Sequence, residues 1–188
     1  MIKQTIKQIF SLLGAHLIIN LVFFFFLIAL LGFANGVQWL KTVISVFAVI
    51  IYIYTIFECA YSHGIYDNKK HTPCTPYPLK GIVLSSGIVL FTLGAFLFYT
   101  LSWYNSPSVH DASYIKIIAN LLYSFMTAFM WDFMDMKGPD ANLIAEILSL
   151  IIPMLASMCG YYVAYKKIDY RAKFNKKFVY EDKNKKDV

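Results

Sequence analysis

Two polar side chains stand inside an otherwise apolar run near the start of the chain, His16 and Asn20, at i and i+4. That spacing puts both on one face of a helix. An imidazole beside a carboxamide could bind a proton or contact a small solute. The plainer alternative is an interhelical hydrogen bond, worth about 0.6 kcal/mol on average between membrane helices. Two carboxylates lie near the ends of other apolar runs. Glu58 is one turn from the end of the second, and Glu146 is in the first turn of the fourth, where a helix N-terminus favours negative charge. Ionisable groups inside a span are functional hypotheses by default, so His16, Asn20, Glu58 and Glu146 are the candidates for a solute or ion path. For both carboxylates, solvation at the membrane interface is the competing reading.

A second constellation follows the second apolar run. His63, Asp67 and His71 recur every four residues, and Cys74 comes soon after. Imidazole, carboxylate and thiolate are all ligands for zinc or another transition metal. The pattern is neither H-E-x-x-H nor a paired C-x-x-C. Pro73, Pro76 and Pro78 stop any helix there, and Lys69 and Lys70 repel a cation. A solvated loop is the stronger reading, and no cofactor is expected.

The C-terminal segment sets Arg171, Lys173, Lys176 and Lys177 beside Tyr170, Phe174 and Phe178. A helix with one aromatic and one cationic side binds anionic lipid, at about 1 kcal/mol per basic residue near the surface. Nucleic acid is the rival partner, but no recognition fold precedes the segment, and it is set aside.

The elements that position these residues follow from composition. Of 188 residues, 59% are apolar and 15% charged, and mean hydropathy is +0.56. Soluble domains carry about 25% charged residues, so disorder and an ordinary soluble enzyme are both disfavoured. A span needs roughly 20 apolar residues. Four stretches meet that length, about 10–33, 42–61, 81–104 and 142–165, and all read as helices because backbone groups in lipid must be satisfied within the segment. The first is too long for a secretory signal, whose apolar core runs about 7–15 residues, and is read as a retained span.

A fifth stretch, about 114–134, is amphipathic. Lys116, Asn120, Ser124, Thr127, Trp131 and Asp135 recur at helical spacing, with apolar residues around most of the remaining surface. It could lie in the interface, re-enter, or span with its polar stripe against the bundle. Charge favours four spans. With both termini cytoplasmic, the inner side holds Lys3, Lys7, Lys69, Lys70, Lys80 and nine basic residues after position 165, against Lys41, Lys116 and Lys137 outside. A fifth span would turn the basic tail outward. Trp39, Trp103 and Trp131 then fall near the outer interface, and Cys59, Cys74 and Cys159 on the inner half, where thiols stay reduced.

The expected fold is therefore all-α: a polytopic bundle of four transmembrane helices plus one outer amphipathic or re-entrant helix. Residues 1–167 form the membrane domain and 168–188 a basic cytoplasmic tail. In the fourth span Ser149, Ala156, Cys159 and Gly160 read as a packing face beside Pro153, and Gly87 and Gly94 read the same way in the third. Phosphate-binding loops, dinucleotide fingerprints, nucleophile elbows and calcium loops do not occur, which weighs against a primary catalytic role.

Two stretches carry a resemblance. Gly64-Ile65-Tyr66-Asp67-Asn68 leads through Pro76-Tyr77-Pro78-Leu79-Lys80-Gly81 into a span, and Gly160-Tyr161-Tyr162-Val163-Ala164-Tyr165-Lys166 precedes Lys177-Phe178-Val179-Tyr180. Both resemble a group of small multi-pass membrane proteins of Gram-positive bacteria with no assigned activity, in which a glycine is expected where Ala164 stands. The resemblance implies a bacterial membrane protein and brings no catalytic residues. The functional expectation is a non-enzymatic accessory or interaction subunit of the cytoplasmic membrane, contacting lipid and a membrane-protein partner or a second copy of itself. A small-solute or ion transport component is the alternative.

Overall fold

A computed structural model describes residues 2–33, 38–69, 75–105, 114–133 and 143–172. In chain order they form α1 (Ile2–Phe33), α2 (Gln38–Asp67), α3 (Lys80–Asn105), α4 (Tyr114–Met126), a short 3-10 segment (Ala128–Phe133) and α5 (Leu143–Tyr165), with no strand among the described residues. Four of these are long and apolar enough to cross a membrane: Ile2–Phe26, Thr42–Asp67, Lys80–Tyr104 and Leu143–Tyr165.

Two spans begin or end away from the limits that hydropathy gives. Helix α1 starts at Ile2 rather than near residue 10, because Lys3, Gln4 and Lys7 are all good helix formers. Helix α2 continues past Tyr61 to Asp67. Gly64 does not end it, because the residue lies against α5: a Cβ placed there would fall 2.5 Å from that of Ala164.

The helices α2 and α5 form the most extensive pair, followed by α3 with α5, while α1 packs on α2 and α3. Small residues set these distances. A Cβ on Gly81 would lie 2.5 Å from the Ser157 carbonyl oxygen, and one on Gly160 would strike the backbone of Phe57. Ser149, Ala156 and Gly160 face inward as expected, whereas Cys159 is exposed. Gly87 meets Ile9 of α1, but Gly94 faces open space. The core between them is built from Leu12, Leu13, Tyr52, Ile56, Leu84, Ile88, Phe129 and Tyr161.

Helix α4 has 13 residues, about 20 Å at 1.5 Å per residue and short of the roughly 30 Å hydrocarbon layer. Its polar positions turn into the bundle: Lys116, Ser124 and Thr127 are buried, while Tyr114, Ile115, Ile118 and Leu121 are exposed. After Met126 the α-helix stops and the 3-10 segment begins, itself broken at Met130 (φ −116°, ψ 20°). Packing of α4 is mainly against α3, and the 3-10 segment leans on α2 and α1. Of the tryptophans, Trp103 is the one whose side chain is described, and the Lys116 ammonium lies 4.0 Å over its ring.

Helix α5 ends by reversing direction. Lys167 adopts φ 56°, and Ile168 N–H donates to the Val163 carbonyl at 3.1 Å while Lys167 N–H donates to that of Ala164 at 2.8 Å. This closes the last turn as a left-handed cap does. The chain then folds back on α2, where Tyr61 donates to the Ile168 carbonyl at 3.1 Å.

Candidate functional site

The polar side chains collect at three levels of the bundle. The first level is the end where α1 and α3 begin and α2 and α5 finish. Asp67, the last residue of α2, is 2% exposed and accepts from three other helices. Lys80 Nζ of α3 lies 2.6 Å from Oδ2, Tyr161 of α5 donates to the same oxygen at 2.8 Å, and Gln8 Nε2 of α1 donates to Oδ1 at 2.8 Å. All four long helices therefore meet at one carboxylate. Both ends of the ion pair are shut away from solvent, and the Lys80 ammonium also stands 5.9 Å from the centre of the Tyr161 ring. Burying opposite charges costs desolvation, which is offset only where the remaining lone pairs are met; Gln8 and Tyr161 do that. One turn along α5, Ser157 donates to the Gly81 carbonyl at 2.7 Å.

The second level is the middle of α1. His16 and Asn20 are both fully buried and share a face, as their spacing requires. His16 Nδ1 is 2.8 Å from the Tyr52 hydroxyl of α2. Asn20 Nδ2 sits over the imidazole, 3.2 Å from each ring nitrogen. The same amide nitrogen donates to the Met126 carbonyl at 3.2 Å, and Asn20 Oδ1 accepts from Phe129 N–H at 3.2 Å. Those two backbone groups lie on either side of the point where α4 gives way to the 3-10 segment. Asn20 thus supplies the partners that a helix break removes, which is the condition for irregular backbone to exist away from water. Thr127 caps the same break by donating from Oγ1 to the Tyr123 carbonyl at 2.8 Å. The Tyr52 ring stacks on Phe129 with centroids 3.8 Å apart and planes 7° from parallel.

The third level is the opposite end, where α5 begins. Glu146 is 3% exposed. Its carboxyl is bordered by the hydroxyls of Tyr123 and Ser149, yet neither oxygen has a partner at hydrogen-bonding geometry. Tyr123 stacks on Tyr99 of α3, centroids 4.8 Å apart and planes 9° from parallel.

The four candidates for a path are thus dispersed. His16 and Asn20 come together, but no hydrogen bond or ion pair joins either to Glu58 or Glu146. Glu58 lies on the outer side of α2, accepting from Tyr54 at 3.1 Å and pairing with Arg171. That carboxylate raises the guanidinium of Arg171 above its ordinary range, and the guanidinium also covers the Tyr61 ring at 5.4 Å. Tyr170 packs edge-on against Phe57 and Tyr61. Arg171 is the one residue of the expected lipid-binding set that falls within the described chain; Lys173, Lys176 and Lys177 lie outside it.

Of the expected metal ligands, His63 and Asp67 share one face of α2, while His71 and Cys74 lie outside the described residues. Asp67 is engaged by Lys80, and His63 Nε2 is 3.7 Å from Cys59 Sγ one turn back. Among the described residues no three His, Cys, Asp or Glu side chains gather around a metal position. Gln8, Lys80 and Tyr161 are the functional-looking residues that sequence reasoning passed over. The available signal was weak: Lys80 counts in the sequence as one of the inner-side basic residues, and no local pattern singles out Gln8 or Tyr161.

No family model, curated protein or solved structure matches the chain.

Proposed function

We propose that this chain is an integral protein of a bacterial cytoplasmic membrane, acting as a non-enzymatic accessory or interaction subunit. The observation that carries this reading is the carboxylate of Asp67, held by Lys80, Gln8 and Tyr161. A bundle whose four long helices are tied together at one buried ion pair has the character of a scaffold. The His16–Asn20 pair is spent in the same way, on Tyr52 and on the backbone at the end of α4. Both termini are placed on the cytoplasmic side, where the basic residues concentrate. Arg171 with Lys173, Lys176 and Lys177 then meets anionic lipid of the inner leaflet. Helix α4 and the 3-10 segment are read as a re-entrant unit: its apolar side faces lipid, and its polar side rests on the bundle.

Copurification from native membrane tests the reading. A stable, stoichiometric membrane-protein partner is expected, and solute uptake into liposomes by the lone protein overturns it. A small-solute or ion transport component is the second reading, favoured by the enclosed carboxyl of Glu146.

A further inference from the structure

We propose that Glu146 is a binding site for one small monovalent cation, a proton or sodium, enclosed at the end of the bundle where α5 begins. The inference goes beyond the scaffold reading and does not rest on it.

The carboxyl is almost wholly buried, and both of its oxygens lack a hydrogen-bond partner. This contrasts with Asp67, equally buried, which is met by an ammonium, an amide and a phenol. Among the described residues, the groups facing Glu146 carry no compensating charge. Helix α4 offers the Tyr123 phenol, and α3 offers Tyr99, stacked on Tyr123. Lys116, two turns earlier on α4, places its ammonium over Trp103. At this end of α2 the sequence has Lys41, whose side chain lies outside the described residues, and residues 42–49 contain no ionisable side chain. The described side chains of the 3-10 segment, Ala128, Phe129 and Met130, contain none either. The N-terminus of α5 contributes about half an elementary charge, which eases the carboxylate without neutralising it.

A lone carboxylate removed from water is unstable until something positive joins it. Since the described protein does not bring that charge to it, the charge comes from the medium. One carboxylate balances one unit charge, so a monovalent ion fits where a divalent one would leave an excess. The donors beside it are all oxygen: the carboxyl itself and the hydroxyls of Tyr123 and Ser149. Oxygen donors suit a proton or a hard cation and disfavour soft metals.

Thermal unfolding of the purified full chain in detergent tests the site. Melts are compared from mildly acidic to mildly alkaline pH, in sodium chloride or in choline chloride of equal ionic strength. The wild type is expected to gain stability from acid, from sodium, or from both, and Glu146→Gln to lose that dependence while remaining folded. A Glu146-dependent response to acid alone identifies the proton; one to sodium at alkaline pH identifies the metal ion. A wild type indifferent to both, or a Glu146→Gln variant that keeps the full response, overturns the proposal. Tyr123→Phe keeps the carboxyl and removes its neighbouring phenol. It is expected to displace the midpoint of the response, and an unmoved midpoint counts against the site even if Glu146→Gln does not fold.

Discussion

Lys80, the first residue of α3, and Asp67, the last of α2, stand 2.6 Å apart in a place that water does not reach. A pair in that setting is asymmetric in its consequences. Removing one partner leaves a buried charge, at a cost of about 3–5 kcal/mol, whereas replacing both by neutral residues of similar volume is often tolerated. Lys80→Met and Asp67→Asn are therefore each expected to lower the unfolding midpoint sharply. The double variant should recover most of the loss. Denaturant titration followed by circular dichroism measures it, and additive losses would refute the coupling. Arg171→Ala makes the contrast. Its pair with Glu58 is half open to solvent, exposed pairs contribute little, and the same titration should barely move.

The break after Met126 supplies a second expectation. Asn20→Ala strands the Phe129 N–H and the Met126 carbonyl that its side chain serves, each an unmet buried group worth about 1–3 kcal/mol. Tyr52→Phe removes a single bond to His16 and keeps the ring stacked on Phe129, so about 0.6 kcal/mol is at stake. Asn20→Ala should be the more damaging by a clear margin. Amide hydrogen exchange supplies the local check, with protection at Phe129 lost in Asn20→Ala and retained in Tyr52→Phe.

Why one polar cluster was legible in sequence and another was not is a matter of distance along the chain. His16 and Asn20 are four residues apart on one helix, and helical periodicity alone brings them together. The four spans were legible for a similar local reason, since each is one continuous apolar run. Gln8 and Tyr161 reach Asp67 from 59 and 94 residues away, and no local pattern marks such a meeting. Lys80 looked like a charge at a membrane boundary because lysines commonly stand there. Glu146 looked solvated for the same reason, until the packing of α3 and α4 over it placed it inside. Helix α2 outlasts its apolar run, because hydropathy falls at His63 and Asp67 while the helix persists on contacts with α5.

Glycines that look alike in sequence should behave differently on substitution. A Cβ at Gly160 would strike the Phe57 carbonyl, and two helix backbones have no flexible atom to give way. Gly160→Ala should push α2 from α5 and destabilise by about 1–3 kcal/mol, as overpacking does. Gly94 has nothing within 4 Å of the same position, so Gly94→Ala should gain about 0.5–1 kcal/mol from helix propensity. Opposite shifts of the melting temperature are expected, and a loss at both positions would show that Gly94 is covered.

The exposed side of α4 distinguishes a helix embedded in lipid from one resting in water. Tyr114 is 84% exposed at its start, Ile118 57% exposed one turn on, and Lys116 between them is buried. If the re-entrant reading holds, Tyr114 lies near the outer surface and Ile118 in hydrocarbon. Cysteine at 114 should then react with a membrane-impermeant maleimide added to intact cells. Cysteine at 118 should resist it and instead react with an apolar reagent. Cysteine at Thr75, between α2 and α3, should react only after the cells are opened. Labelling at 75 from outside reverses the orientation. Equal labelling at 114 and 118 places α4 in the aqueous phase, where so continuous an apolar side, Ile115, Ile118, Leu121 and Leu122, would need a protein partner to cover it.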